Sequence, residues 1–389
     1  MDPGEPAEVL NRCRNPRPQD ADVIARWEKA VADHVGVPHA AGVNSGRRGM
    51  TLILEHLGVG SGDEVIVPAY TLKDLIGLIE GLGAKAVPAD IEAETLNLSP
   101  EACARRITPQ TKAILALHAF GSPCRIDEIV SLADGHGIPV IEDCAHSLGA
   151  TFKGEQTGSF GRAAFFSFET TKPVNTFGGG MVVSRDAGLI ERIHASTADD
   201  PVDSSPIEGK VRATKTENLL FATGLGFPFL YLLASPSFKA LAGRLYRRFQ
   251  HAPPASIAYT SLQAEIGLKK LATLPGRIAE RKDNAALLRT LLSPEIRTQR
   301  VAADCESTWY FFVALLPCGA GRVRKRLLMR GIDAGIADEI ADDCAALLRY
   351  EDCPVVADVT DRAIALPMYD GISETAIRKV ARVVNKVGT

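Results

Sequence analysis

The chain has 389 residues, 46% hydrophobic and 23% charged, with a formal net charge of −3. It is long enough for two domains and a large core, and its near-neutral balance excludes the basic footprint of a nucleic-acid-binding protein. Eight cysteines, at positions 13, 103, 124, 144, 305, 318, 344 and 353, include no CxxC pair. Reduced, buried thiols in a cytoplasmic protein are expected, rather than disulfides or zinc. Met1-Asp2-Pro3-Gly4-Glu5 has no basic n-region or apolar h-region, so no signal peptide is read.

Ala21 to Val35 has helical periodicity, with Ile24, Trp27, Ala30 and Val31 on one face. Ala40 to Val43 reads as a short strand that enters the small-residue turn Asn44-Ser45-Gly46-Arg47, and Met50 to Leu57 reads as a helix. A helix N-terminus after Ser-Gly presents free backbone N–H groups, which suits a phosphate. Strands and helices then alternate. Strands are read at Glu64–Pro68, Ala86–Asp90, Ala113–His118 and Pro139–Asp143, with helices at Leu75–Leu82, Ser99–Ile107 and Ile126–His136 between them. This alternation predicts right-handed crossovers and a mostly parallel sheet, an α/β large domain flanked by helices. Ligands in such sheets sit beyond the carboxyl ends of the strands, where Asp143 and the Ser45-Gly46 turn both fall.

The apolar run Phe165-Phe166-Ser167-Phe168 leads into Glu169-Thr170-Thr171-Lys172, and a glycine triplet and the strand Met181-Val182-Val183 follow. Taken alone, a lysine in a glycine-flanked loop is a solvated surface residue. A loop lysine together with the strand-end carboxylate Asp143 suits pyridoxal phosphate. The lysine forms the Schiff base, and the aspartate keeps the pyridinium nitrogen protonated.

Leu219 to Leu233, LLFATGLGFPFLYLL, is too short and too interrupted by glycine and proline for a confident membrane span. Phe238 to Phe249 adds Leu241, Leu245 and Phe249 on one side and a basic set, Lys239, Arg244, Arg247 and Arg248. The 218–250 insert suits a membrane surface or a lipid-like substrate, or else packing in a dimer interface or over the site. From about Pro275 the character changes. Helices are read at Arg277–Leu292, Val323–Arg330 and Ser373–Val387, and strands at Tyr310–Leu316 and Ala363–Leu366. The expected division is a large cofactor domain, 1–270, and a small C-terminal α+β domain, 271–389.

Several segments together resemble the DegT/StrS sugar aminotransferases, which have the type I fold of pyridoxal phosphate enzymes. The markers are Asn44-Ser45-Gly46, Gly58 to Pro68, Ile107 to Ile114, His118-Ala119-Phe120-Gly121, Ile141 to His146 and Gly158 to Gly161. They continue with Ser167 to Lys172, Gln263 to Leu268 and Ala365 to Tyr369. The resemblance implies that Lys172 carries pyridoxal 5'-phosphate and that Asp143 pairs with its ring nitrogen. It puts His146 near the phenolic oxygen, and Ser167, Ser45, Gly46 and the N–H of Arg47 on the phosphate.

Departures from the family pattern bear on specificity. Arg47 replaces a threonine, and its guanidinium either adds a bond to the phosphate or faces solvent. Leu72 replaces the aromatic that stacks on the cofactor ring. The cross-subunit Asn and Arg fall at about Ser256 and Ala258. The loop Ile336 to Asp343 is acidic where relatives have histidine, a poor host for a diphosphate.

The resemblance implies a homodimeric aminotransferase that moves an amino group from glutamate to a keto acceptor, a keto sugar by default. No metal is expected. The rival readings are other pyridoxal phosphate chemistry, such as decarboxylation or carbon–carbon bond formation on a lipid-like substrate, and a non-catalytic regulator that binds the cofactor.

Overall fold

In the computed structural model, residues 4–224, 226–233 and 257–388 are described. The central sheet has seven strands, in the order His39–Val43, Gly180–Ser184, Ala163–Ser167, Val140–Asp143, Thr111–Leu117, Glu64–Pro68, Lys85–Ala89. Gly180–Ser184 runs antiparallel to both its neighbours, and the remaining neighbours pair in parallel. The predicted mostly parallel α/β sheet is therefore present. Both faces are covered. Met50, Ile53 and Leu54 from the Gly46–His56 helix join Val65, Leu115 and Phe165 on one side. On the other, Trp27 and Val31 of the Ala21–Val35 helix pack with Phe166, Phe168 and Met181. Phe165 and Phe166 thus go to opposite faces, as the two-residue period of a strand requires.

Two helices begin earlier than periodicity predicts, those expected from Met50 and from Arg277, because capping rather than periodicity sets their starts. Ser45 caps the helix that begins at Gly46, and its Oγ accepts from the Arg48 amide at 3.1 Å. The helix expected from Arg277 spans Ser261–Leu291 and passes through Pro275. A capping box between Thr260 and Gln263 starts it, and the length on either side absorbs the bond that proline removes. The Ser99–Ile107 helix is shorter, Pro100–Ala104.

The C-terminal part forms a four-stranded antiparallel sheet, in the order Arg297–Thr298, Phe312–Leu315, Ala363–Leu366, Gly335–Ile336. The Ala320–Leu328 and Glu374–Gly388 helices cover it through Val323, Leu327, Ile377, Val380 and Val384. Asp342–Asp343 returns to pair with Tyr70–Thr71 at the mouth of the central sheet.

The 218–250 insert begins in the last turn of the Ser205–Ala222 helix and continues into the Gly226–Leu233 helix. Phe221 meets Phe227 edge-on, with centroids 5.1 Å apart. Leu219, Leu220 and Tyr231 are exposed. The amphipathic stretch Phe238 to Phe249, with its basic set, lies outside the described residues, as does Ser256. No helix among the described residues is long and apolar enough to cross a membrane.

Candidate active site

The residues singled out in the sequence gather at the carboxyl ends of the parallel strands. Asp143 ends its strand and is registered against Phe165 of the next one, which ends at Ser167. The chain then turns, with the Lys172 amide bonded to the Glu169 carbonyl at 2.9 Å. Ser45 forms an isolated bridge with Gly179, which brings the start of the Gly46–His56 helix beside Ser167. Gly46 makes that approach possible. A Cβ there would lie 3.2 Å from the Phe166 carbonyl oxygen and 3.3 Å from Ser167 Cβ. The first N–H groups of this helix have no partner within the helix, so Gly46 and Arg47 present donors next to the Ser167 hydroxyl.

The Arg47 guanidinium donates to Asp74 Oδ2 at 2.6 Å. Asp74 lies in the first turn of the Lys73–Gly81 helix, which starts after Leu72. This ion pair ties the two helix starts together and leaves the Leu72 side chain 41% exposed at the mouth. The acidic loop is drawn into the same corner. Asp342 accepts from the Lys73 amide at 2.9 Å, and Glu339 pairs with Arg324.

Asp143 is buried, and burial pushes its carboxyl up to about 6. The Ala145 amide, donating to Oδ1 at 2.9 Å, and the positive charge of Lys172 pull the other way. The carboxylate is therefore only partly compensated. Burial, reinforced by Lys172, holds His146 well below the usual histidine range, so its ring is neutral. Its Nδ1 accepts from the Phe120 amide at 3.4 Å, which places the proton on Nε2.

Directly behind Asp143, Glu142 is fully buried. It accepts from the amides of Gly158, Phe160 and Gly161 at 2.7–2.8 Å and meets His118 Nε2 at 3.0 Å. The Cys124 amide donates to His118 Nδ1, so the imidazole carries its proton toward Glu142. His118, Glu142 and Cys144 are close enough to suggest a metal site, but these hydrogen bonds already occupy the carboxylate and imidazole.

Sequence reasoning missed Tyr310. Its hydroxyl lies 3.3 Å from Lys172 Nζ and 2.9 Å from Thr171 Oγ1, and its ring stacks on His146 with centroids 4.3 Å apart. The run Trp309 to Phe312 carried only a strand signal. The strand begins at Phe312, and Trp309, with φ of 52°, turns the chain just before it.

The chain matches the DegT/DnrJ/EryC1/StrS aminotransferase family over residues 9–215 and 242–385. It is 31% identical over 299 residues to an L-glutamine:2-deoxy-scyllo-inosose aminotransferase of Streptomyces fradiae, covering 76% of this chain and 63% of that one. It is 40% identical over 170 residues to a GDP-perosamine synthase of Caulobacter vibrioides, covering 44% of this chain and 46% of that one. The matched stretches thus span about half to two thirds of these relatives' lengths. Among solved structures, the aminotransferase TlmJ from Streptoalloteichus hindustanus superposes with a TM-score of 0.78 at 23% identity. That match covers 99% of this chain and 96% of the other.

Proposed function

This chain belongs to the DegT/DnrJ/EryC1/StrS aminotransferase family, and from that premise we propose that it is a pyridoxal phosphate-dependent aminotransferase acting on a keto sugar or related keto polyol. One observation carries the reading. Lys172, the partly compensated carboxylate of Asp143 and the helix start at Gly46 meet at the carboxyl ends of one sheet.

The residues fit the cofactor. The glycine-lined approach of Gly46 to Ser167 leaves amide donors and a hydroxyl for a phosphate. Asp143 is a buried carboxylate short of a cation, as a partner for a protonated ring nitrogen should be. Leu72 offers an aliphatic face at the mouth. Pyridoxal phosphate, when bound, supplies an electron sink that allows a proton to leave the carbon next to the amine.

Each residue then has a task. Lys172 Nζ would hold the cofactor's aldehyde carbon and, when free, would take up and return a proton as general base and acid. Asp143 would supply the fixed negative charge for the ring nitrogen. His146, neutral, would present its Nε2 proton to the cofactor's phenolic oxygen. Ser167 Oγ and the amides of Gly46 and Arg47 would hold the phosphate, while the Arg47 guanidinium is bonded to Asp74. Glutamate or glutamine is the proposed donor. A relative acting on 2-deoxy-scyllo-inosose supports a ring ketone as acceptor.

For assembly we propose a homodimer, with 1–270 and 271–389 as its large and small domains. Through Leu219, Leu220 and Tyr231 and the basic stretch that follows, we propose contact with a membrane surface or a lipid-like acceptor. The functional test is spectroscopic. An amino donor should bleach the visible band of the lysine-bound cofactor, and pools of keto sugars, keto cyclitols and lipid-linked ketones should restore it. A band that no amino donor bleaches would reject an aminotransferase in favour of a cofactor-binding regulator.

A further inference from the structure

We propose that Tyr310 is the hydrogen-bond partner that lets Lys172 change protonation state without moving, with Thr171 as the third member of the relay. The proposal rests on Lys172 holding the cofactor, and it adds a residue from the C-terminal part of the chain to the chemistry at Nζ.

The geometry is specific. The Tyr310 oxygen is 3.3 Å from Lys172 Nζ and 2.9 Å from Thr171 Oγ1, so one hydroxyl bridges two neighbours in sequence. Nζ also lies 4.3 Å from the centroid of the phenol ring, whose face attracts a cation. An ammonium has only donors, whereas a neutral amine also needs a donor for its lone pair. A single acceptor such as a carbonyl would serve the N–H donors of either state but leave the neutral amine's lone pair without a donor. A hydroxyl flanked by a second hydroxyl serves both.

When Nζ is protonated it donates to the Tyr310 oxygen, and the phenol proton turns to Thr171 Oγ1. When Nζ is neutral the phenol O–H turns to Nζ, and the Thr171 hydroxyl donates to the phenol oxygen. Tyr310 and Thr171 each keep their own proton throughout. Only two hydroxyl rotors move, and the proton gained or lost at Nζ comes from or goes to the reacting carbon.

The phenol is held where this exchange needs it. Trp309 sits in the left-handed region, and its amide is bonded to Ser307 Oγ at 3.0 Å. Thr308 donates from N to the Gly121 carbonyl at 3.0 Å and from Oγ1 to the His146 carbonyl at 2.8 Å. A Cβ on Gly121, whose φ is 93°, would lie 2.1 Å from Thr308 Oγ1, so only glycine permits this seam. Phe311 N bonds to the Phe120 carbonyl at 3.3 Å, and His146 covers the phenol face. Tyr310 is 5% exposed. With the ring so pinned, the hydroxyl can reorient while the oxygen stays in place.

The test uses the full-length protein and Tyr310→Phe, which keeps the ring and its stack and removes one oxygen. First, borohydride reduction and peptide mapping of the wild type establish whether Lys172 holds the cofactor. A label elsewhere defeats the proposed function and this relay together. With that settled, two rates are read: uptake of pyridoxal phosphate by the cofactor-free protein, and the donor half-reaction at saturating glutamate. Both should fall about 10- to 100-fold, the worth of a hydrogen bond to a charged group. Final occupancy and donor affinity should stay within about twofold. Thr171→Val should move both rates in the same direction, and the double variant should be no slower than Tyr310→Phe alone. If Tyr310→Phe leaves both rates within about twofold of wild type, the relay is wrong while the function stands. Losses confined to occupancy or donor affinity would make Tyr310 a structural prop and would equally overturn it.

Discussion

The imidazole of His146 lies flat on the phenol ring of Tyr310, with centroids 4.3 Å and planes 18° apart. One ring follows the strand that ends at Asp143, and the other precedes a strand of the C-terminal sheet. The contact joins the two parts of the chain at the candidate reacting centre, beside Lys172. It also makes separate predictions for the groups around it.

Asp143→Asn should separate stability from activity. The Asp143 carboxyl is raised to about 6 by burial, above its ordinary value of 3.8. A carboxyl raised on folding binds its proton more tightly in the native state, so the cofactor-free protein loses this contribution as pH rises from about 4 to about 6. Without cofactor, the Asn variant should be more stable than wild type at pH 8 by about 2–3 kcal/mol, and no more stable near pH 4. With cofactor the order should reverse, and turnover should fall about 10²–10³-fold. Thermal unfolding at the two pH values, with and without pyridoxal phosphate, checks this. A wild type that outlasts the variant at pH 8 without cofactor would contradict it.

The phosphate reading predicts that backbone matters more than the arginine. Arg47→Ala breaks a half-exposed ion pair with Asp74, worth about 0–1 kcal/mol, and should weaken cofactor binding less than about tenfold. Gly46→Ala places a methyl 3.2 Å from the Phe166 carbonyl oxygen and 3.3 Å from Ser167 Cβ, and should weaken binding more. Equilibrium dialysis of pyridoxal phosphate ranks the two. The reverse order would move the phosphate onto the guanidinium.

Much of this site was legible in the sequence. The alternating apolar strands put Asp143 and the Ser45-Gly46 turn at strand ends and Lys172 in the polar turn after an apolar run, whereas the part of Ser167 came from the family resemblance. Tyr310 was not legible. Its neighbours are aromatic, and nothing in Trp309 to Phe312 reveals that a left-handed turn at Trp309 aims one ring away from the strand and into the site. The Arg47–Asp74 pair was hidden for a related reason, since it depends on two helix starts meeting across the sheet edge. The helix expected over Arg277–Leu292 starts at Ser261 instead, because the Thr260–Gln263 capping box sets its beginning and Pro275 does not end it.

Glu142 should matter for stability before it matters for chemistry. Glu142→Ala leaves three amides and His118 without their acceptor in a fully buried position. The expected cost is about 3–5 kcal/mol. Urea unfolding of the cofactor-free protein measures it. A loss under about 1 kcal/mol would mean that the 157–161 loop finds other partners.

The exposed apolar side chains of the insert predict binding to anionic vesicles. The full-length protein should co-sediment with them and release as salt is raised, because Lys239, Arg244, Arg247 and Arg248 follow in sequence. Replacing the three arginines with glutamine should weaken binding without loss of the visible cofactor band. No binding at any salt would leave the 218–250 stretch to the protein's own packing.

The central claim is that Lys172 carries the cofactor, and one measurement meets it directly. Borohydride-reduced protein, digested and mapped by mass spectrometry, should carry the phosphopyridoxyl group on the peptide that contains Lys172, and Lys172→Ala should carry none at any lysine. A label on a different lysine, or a Lys172→Ala variant that still transfers amino groups at the wild-type rate, would contradict the account.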